Sequence, residues 1–199
     1  QPVLSAYAFL KIDTYNKNAF STRGYRIKAE LKRISYLEDD FSSNLNLGSV
    51  TAYYFKYRQN FPISNKITFK TGATLTGILE DETPLITDWF ALGGHVETHY
   101  SENFIPFTGL NLVEEFGKYI LVGRAGLQYN FARKQYITCK LDLGNSGIKF
   151  DDLFEPKTII AGYGLTYGYD SFIGPVELSL MGSNTSSNLK LFVNIGYWF

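Results

Sequence analysis

Lys190-Leu191-Phe192-Val193-Asn194-Ile195-Gly196-Tyr197-Trp198-Phe199 are the last ten residues, and Leu191, Val193, Ile195, Tyr197 and Phe199 recur at strict period two. That period sends successive side chains to opposite faces of an extended strand. Upstream, Ile159, Ala161, Tyr163, Leu165, Tyr167 and Tyr169 alternate with Ile160, Gly162, Gly164, Thr166, Gly168 and Asp170. Ile137, Cys139, Leu141 and Leu143 alternate with Thr138, Lys140, Asp142 and Gly144. Ile67, Phe69, Thr71, Ala73 and Leu75, and Tyr25, Ile27, Ala29 and Leu31, repeat the arrangement. Nine such segments are expected: 3–13, 25–37, 48–60, 66–78, 119–131, 136–144, 158–170, 175–182 and 189–199. Most exceed the roughly five or six residues of a globular strand and match the ~9–11 of a tilted bilayer span. No helical period of useful length competes. The chain reads as all-β.

Composition narrows the class. Nineteen Lys and Arg balance nineteen Asp and Glu in 199 residues, without the basic excess of a nucleic-acid binder. Aromatics are abundant, with 15 Tyr, 16 Phe and 2 Trp. The lone Cys139 excludes an internal disulfide, and no apolar run reaches the length of a transmembrane helix. A barrel that crosses a membrane with strands gives no such run, because lipid-facing and lumen-facing residues alternate. The start lacks a charged region followed by an apolar one, which reads as a removed signal peptide or a piece of a larger chain.

A soluble sandwich or lipocalin-like barrel alternates too. Against it stand the strand lengths, the Tyr and Phe near the ends of the apolar face, and the charge on the polar face. Connections 61–65, 132–135 and 171–174 are short, whereas 38–47, 79–118, 145–157 and 183–188 are mostly longer. That asymmetry fits an outer-membrane barrel with short periplasmic turns and long external loops. Segment 14–24 is the exception, since parity puts its eleven residues on the short side.

The order of Tyr119–Phe131, of Tyr136–Asn145 with Asp142 and Gly144, of Gly162-Tyr163-Gly164-Leu165, of Gly174-Pro175 and of a terminal strand ending in Phe199 resembles the bacterial surface antigen barrels. These are the pore domains of outer-membrane assembly factors and secretion translocators. Phe20-Ser21-Thr22-Arg23-Gly24 is similar to that family's periplasmic turn, and Phe90-Ala91-Leu92-Gly93-Gly94 to the element opening its long, lumen-dipping loop. Tyr167–Pro175 is most similar to the barrel appended to patatin-like phospholipases. The family's loop carries Val-Arg-Gly-Phe, whose Arg meets a Glu and an Asp on the next two strands. Here Phe107-Thr108-Gly109-Leu110 puts Thr108 at the Arg position and Gln128 at the Glu position, while Asp142 remains. A lone carboxylate in the lumen is costly, so Arg124 or Lys140 is the expected replacement partner.

The resemblance implies one outer-membrane β-barrel domain over 1–199 in a Gram-negative bacterium, with 79–118 as its external or lumen-dipping loop. Nine strands is odd where single-chain bacterial barrels are even. The expected resolutions are a larger, sixteen-stranded barrel, completion by a second copy or another chain, or demotion of 1–24 to a periplasmic or plug segment. The expected function is to anchor or translocate a linked or partner protein. Ile195, Tyr197 and Phe199 would serve as the assembly signal that the barrel-assembly machinery reads by strand augmentation. Outer-membrane lipids are the other expected partner, with no nucleic acid and no cofactor.

Face assignment gives a lumen set of Lys11, Arg26, Lys28, Lys32, Lys56, Arg58, Lys66, Lys70, Arg124, Lys140 and Lys190, with Asp13, Glu30, Asp142 and Glu177 as its acids and the neutral Gln128 beside them. The functional reading is an anion-leaning pore or plug seat. The plainer one is a barrel interior that has to be polar, with rim cations reaching lipid phosphates. Gly162 and Gly164 read as small residues suiting a curved strand. Chemistry has one weak candidate, His99-Tyr100-Ser101, where Ser101 would be a lipid-hydrolase nucleophile with His99 as base and Glu97 or Glu102 as orienter. No G-x-S-x-G elbow exists, so a patatin-type hydrolase would lie outside this chain. His95 and His99 lack a third ligand, so no metal is expected.

Overall fold

The computed structural model describes residues 3–36, 49–79, 85–95 and 103–197. Nine long strands form one antiparallel sheet: β1 (Val3–Asp13), β2 (Gly24–Tyr36), β3 (Val50–Pro62), β4 (Ile67–Ile78), β8 (Tyr119–Ala132), β9 (Gln135–Gly147), β10 (Ile160–Ser171), β11 (Gly174–Ser183) and β12 (Ser186–Ile195). Each pairs with its neighbour in sequence, β4 with β8 across the long loop. The sheet is open, with β1 and β12 as its edges. Within the loop, β5 (Phe90–Leu92), β6 (Phe104–Ile105) and β7 (Glu115–Gly117) make a second small sheet in the order β6-β5-β7. No described helix is long and apolar enough to cross a membrane.

All nine expected segments are strands, shifted by up to four residues at their ends. The last differs most, running 186–195 rather than 189–199. The connection expected over 183–188 is therefore a two-residue turn at Asn184 and Thr185, because the ladder continues to Ser183↔Ser186. Demotion of 1–24 fails for its first half, since β1 pairs with β2 along its whole length, from Val3↔Tyr36 to Asp13↔Arg26. Its second half, 14–23, folds onto the sheet instead of leaving as a plain turn. Asn60 Nδ2 donates to the Ser21 carbonyl (3.2 Å) and Gln128 Nε2 to that of Phe20 (3.4 Å).

The two faces differ as the alternation requires. Outward stand Leu31, Phe55, Leu127, Leu141, Leu165, Leu180 and Leu191, all exposed although apolar, with Cys139 among them. Leu191 is 69% exposed. Monomeric soluble proteins rarely expose so continuous an apolar surface. Near the end with the short turns the outer face is aromatic, with Phe61 on Phe69 (centroids 6.5 Å apart) and Phe131 on both Tyr129 and Tyr167 (6.4 Å each). At the other end Tyr119 meets Phe150 edge-on at 5.9 Å. Two aromatic bands flanking an aliphatic one are the pattern of a membrane barrel, where amphipathic rings sit at the headgroups.

The inner face is charged in its middle and apolar at the loop end. Along β2 it runs Arg26, Lys28, Glu30 and Lys32, then Ile34 and Tyr36. Ile34, Val50, Ile78, Ile120, Val122 and Ile160 pack against Phe90, Leu92, Ile105, Phe107 and Leu110 of the loop. Each such side chain contributes ~1.5–3 kcal/mol by leaving water. This core between sheet and loop is what holds the described parts of the loop, 85–95 and 103–117, on the inner face.

An arginine at an outer mid-strand position tests the assignment of faces. In the membrane-inserted protein, Leu141→Arg is expected to cost ~2–4 kcal/mol by denaturant titration in lipid bilayers. A cost near zero would contradict it.

Candidate functional site

Two inserts, the loop tip and the hairpin 14–23, meet the inner face of the sheet around a cavity of about 420 Å3. Gly93 and Gly94 carry β5 on alongside the tip, continuing its parallel pairing with β6. Gly93 takes φ +147° and Gly94 φ +75°, and a Cβ on Gly93 would lie 2.1 Å from the Asn111 carbonyl. Gly93 N–H donates to the Ile105 carbonyl (3.0 Å), and Phe107 N–H to that of Gly94 (2.8 Å). The segment Pro106–Leu110 thereby lies flat on β9, β10 and β11.

That seat is built of glycines. At Gly162 a Cβ would stand 1.8 Å from the Thr108 carbonyl, at Gly144 2.9 Å from Phe107 Cε2, and at Gly164 2.9 Å from Thr108 Cγ2. Gly109, at φ +87°, leaves no room for a Cβ against the Gly182 carbonyl. The inner glycines of β9 and β10 thus receive the loop, a stronger demand than strand curvature. Gly168 does the same for the hairpin, whose Phe20 ring covers it and stacks on Tyr136 at 4.5 Å.

Polar contacts fix the register. Thr108 N–H donates to Asp142 Oδ2 at 2.8 Å, and Arg124 Nε stands 3.8 Å from Asp142 Oδ1. Arg124 also donates to the Pro106 carbonyl. Of the two expected replacement partners, Arg124 takes Asp142 while Lys140 Nζ reaches His95 Nε2 (3.1 Å). A backbone amide from the loop and a guanidinium from the neighbouring strand thus face the Asp142 carboxylate. A hydrogen bond to a charged group is worth ~1.5–3 kcal/mol. His95 also contacts Ser179 Oγ at 3.1 Å and packs on Phe192 at 5.0 Å. Lys190 closes the loop's far side through Glu114 at 3.0 Å. From β9 to β12, each strand holds the loop by at least one contact.

Of the residues named from sequence, Lys70, Arg124, Gln128, Lys140, Asp142 and Glu177 line the cavity together, with Thr108 above them. Arg58 joins them, its inner-face placement now set by the register Arg58↔Gly72. Arg26 pairs with Asp13 (2.9 Å) and Lys28 with Glu30 (3.1 Å), away from the cavity on β1 and β2. Ile195 projects outward, and the Tyr197 ring lies beside Gly174. His99, Ser101, Glu102 and Phe199 lie outside the described residues. No group of three possible metal ligands occurs among the described residues.

Sequence reading did not find the roles of His95, Ser179, Phe192 and Phe20. Phe192 carried a signal, being an aromatic on the polar face of the last strand.

This arrangement, a long loop pinned through an aspartate to the C-terminal strands of an open antiparallel sheet, agrees with a family model described as the OMP85 superfamily that matches residues 1–199. The chain belongs to the OMP85 superfamily. Its members are outer-membrane β-barrels of Gram-negative bacteria that translocate or assemble proteins, generally without enzymatic activity. No curated protein matches the chain.

Acid should loosen the loop of this OMP85 barrel through His95. Burial, reinforced by the Lys140 and Arg124 cations, pushes the docked imidazole down to about 3 from its ordinary 6.5. The undocked ring binds a proton first, so docking is unaffected above the ordinary value and weakens as pH falls from about 6.5 towards 3. Exchange protection of the Gly93 and Phe107 amides should fall across that window, and less in His95→Gln. Equal profiles in the two proteins would contradict the role of His95.

Proposed function

We propose that this chain is the barrel part of an outer-membrane protein that anchors a linked or partner polypeptide, or passes it across the membrane. The observation carrying this reading is that the inner face is occupied from both ends. The loop packs on one end of the inner face over an apolar core, and the hairpin 14–23 covers part of the other through Phe20. That occupied inner face favours this reading over a passive anion-leaning pore, which needs an unobstructed polar lumen. Membership of a superfamily of translocation and assembly barrels supports the same choice.

The open edges of β1 and β12 argue that more strands complete the barrel, from the same polypeptide or from a second copy. Unpaired backbone groups in hydrocarbon cost several kcal/mol each by the usual estimate (~2–7 kcal/mol). The likeness of Tyr167–Pro175 to the barrels of patatin-like phospholipases supports a lipid hydrolase as the linked polypeptide, with its chemistry outside these residues. The alternating outer face of β12, with Ile195 at its end, is the surface that the barrel-assembly machinery would read as a template strand.

Conductance separates the two readings. In planar bilayers the full-length protein is expected to show no steady porin-like current, and removal of residues 103–111 to open one. A large, steady, anion-selective current in the intact protein contradicts the anchoring or translocating role.

A further inference from the structure

The two inserts are attached to the wall in different ways. The loop tip meets the wall backbone to backbone, at Gly162 against Thr108 and at Gly109 against Gly182. Charged contacts at Asp142 and Lys190 add to that fit. The hairpin tip, residues 16–23, has no charged contact with the wall among the described residues. It makes two hydrogen bonds there, both from neutral side-chain amides, Asn60 to the Ser21 carbonyl and Gln128 to that of Phe20. Their lengths, 3.2 and 3.4 Å, lie at and beyond the long end of the ~2.7–3.2 Å usual for N–H···O. The main hold is one ring, Phe20, stacked on Tyr136 (4.5 Å, 9° between planes) over Gly168.

Within itself the hairpin is well bonded. Asn16 Oδ1 accepts from Ser21 Oγ (2.8 Å), Thr22 N–H (3.0 Å) and Arg23 N–H (3.3 Å), while Asn16 Nδ2 donates to Thr22 Oγ1 (3.0 Å). At the base, Thr14 N–H donates to the Tyr25 carbonyl (2.9 Å) and Tyr25 N–H to Thr14 Oγ1 (2.8 Å). None of these bonds involves the wall, so all of them survive when the tip leaves it. The reach is long. The base sits on β2, and the Phe20 ring rests on β9 and β10, four and five strands further along the sheet. At ~4.8 Å per strand, base and ring stand about 20 Å apart along the wall. Asn60 and Gln128 border the cavity, where water can take the place of the two hairpin carbonyls.

We infer that the hairpin 14–23 is a hinged strap that swings off the inner face as one body about its Thr14–Tyr25 base. Phe20 is its latch, in the socket made by Tyr136 and Gly168, and the long loop stays seated while the strap moves. Burial favours the latched position, with Phe20 only 8% and Tyr136 2% exposed. Release uncovers the inner wall at the end with the short turns, from Asn60 on β3 to Gly168 on β10. One aromatic contact and two long hydrogen bonds make a barrier of the size that conformational gates use, unlike the glycine seat of the loop. The strap goes beyond the anchoring or translocating role. Its test reads movement and not passage, so the two fail separately.

The test is double electron–electron resonance on the full-length protein in nanodiscs, with Cys139→Ser and spin labels on Lys17→Cys and Arg133→Cys. One short distance between hairpin and β8–β9 turn is expected to dominate. In Phe20→Ala a longer distance should gain about tenfold in relative population, the scale of one lost aromatic pair with its buried surface. Gly168→Ala should do the same, because a Cβ there would stand 2.3 Å from Phe20 Cε1. Asn18→Ala, on the strap but outside the latch, should keep the short distance. A second label pair, Leu112→Cys on the loop and Asn188→Cys on β12, should report one unchanged distance in every variant, which shows that barrel and loop stay folded. Identical hairpin distances in the parent, Phe20→Ala and Gly168→Ala overturn the proposal. So does a loop distance that lengthens with that of the hairpin, or an opening in Asn18→Ala as large as in Phe20→Ala.

Discussion

Hydrocarbon accepts no hydrogen bonds, and this one constraint organises the whole molecule. A strand that crosses it has to pair along its full length with neighbours and turn only apolar side chains outward. Most of the charged strand side chains are thereby sent to the inner face, among them Arg26, Lys28, Glu30, Lys70, Arg124, Lys140 and Asp142. An inner face so crowded with cations is itself a problem, and the loop and hairpin inserts answer part of it. Where the loop covers the wall the charges give way to Ile34, Val50, Ile78, Ile120 and Val122, which form a dry seat. Where the wall stays charged, ion pairs, a neutral imidazole and interspersed glycines hold the cations apart.

The loop is held mainly by shape. Gly144, Gly162, Gly164 and Gly109 let two backbones approach within contact distance, so the tip is fitted to strands β9 to β11 in one register. Asp142 then supplies a directional check through the Thr108 amide. Arg124, one strand away on the same rung, adds a cation 3.8 Å from the same carboxylate. An anchor made from backbone and wall is less exchangeable than a side-chain hook, since it requires the whole tip to lie flat.

Period-two alternation made the nine strands legible, because Leu191, Val193 and Ile195 leave no reading except one apolar face. The inner or outer placement of almost every charged residue followed from the same parity. Strand ends were less readable: Ser186, Ser187 and Asn188 look like loop, yet ladder pairing extends β12 through them to a two-residue turn. The inserts were the least readable part. The small sheet of β5, β6 and β7 is held by contacts to the wall, not by its own pattern, and strands of two or three residues carry no period. Phe20 gave no sign of its inward turn, since its partner Gly168 lies 148 residues away in sequence. The family resemblance located the loop tip and Asp142, whereas His95 and Ser179 had no counterpart in any motif.

The most direct measurement is a spin-label scan along β9 in lipid bilayers, with cysteine placed singly at positions 137 to 143 in the full-length protein lacking Cys139. Collision rates with oxygen, which concentrates in hydrocarbon, are expected to alternate, high at 137, 139, 141 and 143 and low at 138, 140 and 142. A flat profile, or odd positions reached better by a water-soluble nickel reagent, would show that this face meets water or another sheet and would contradict the account.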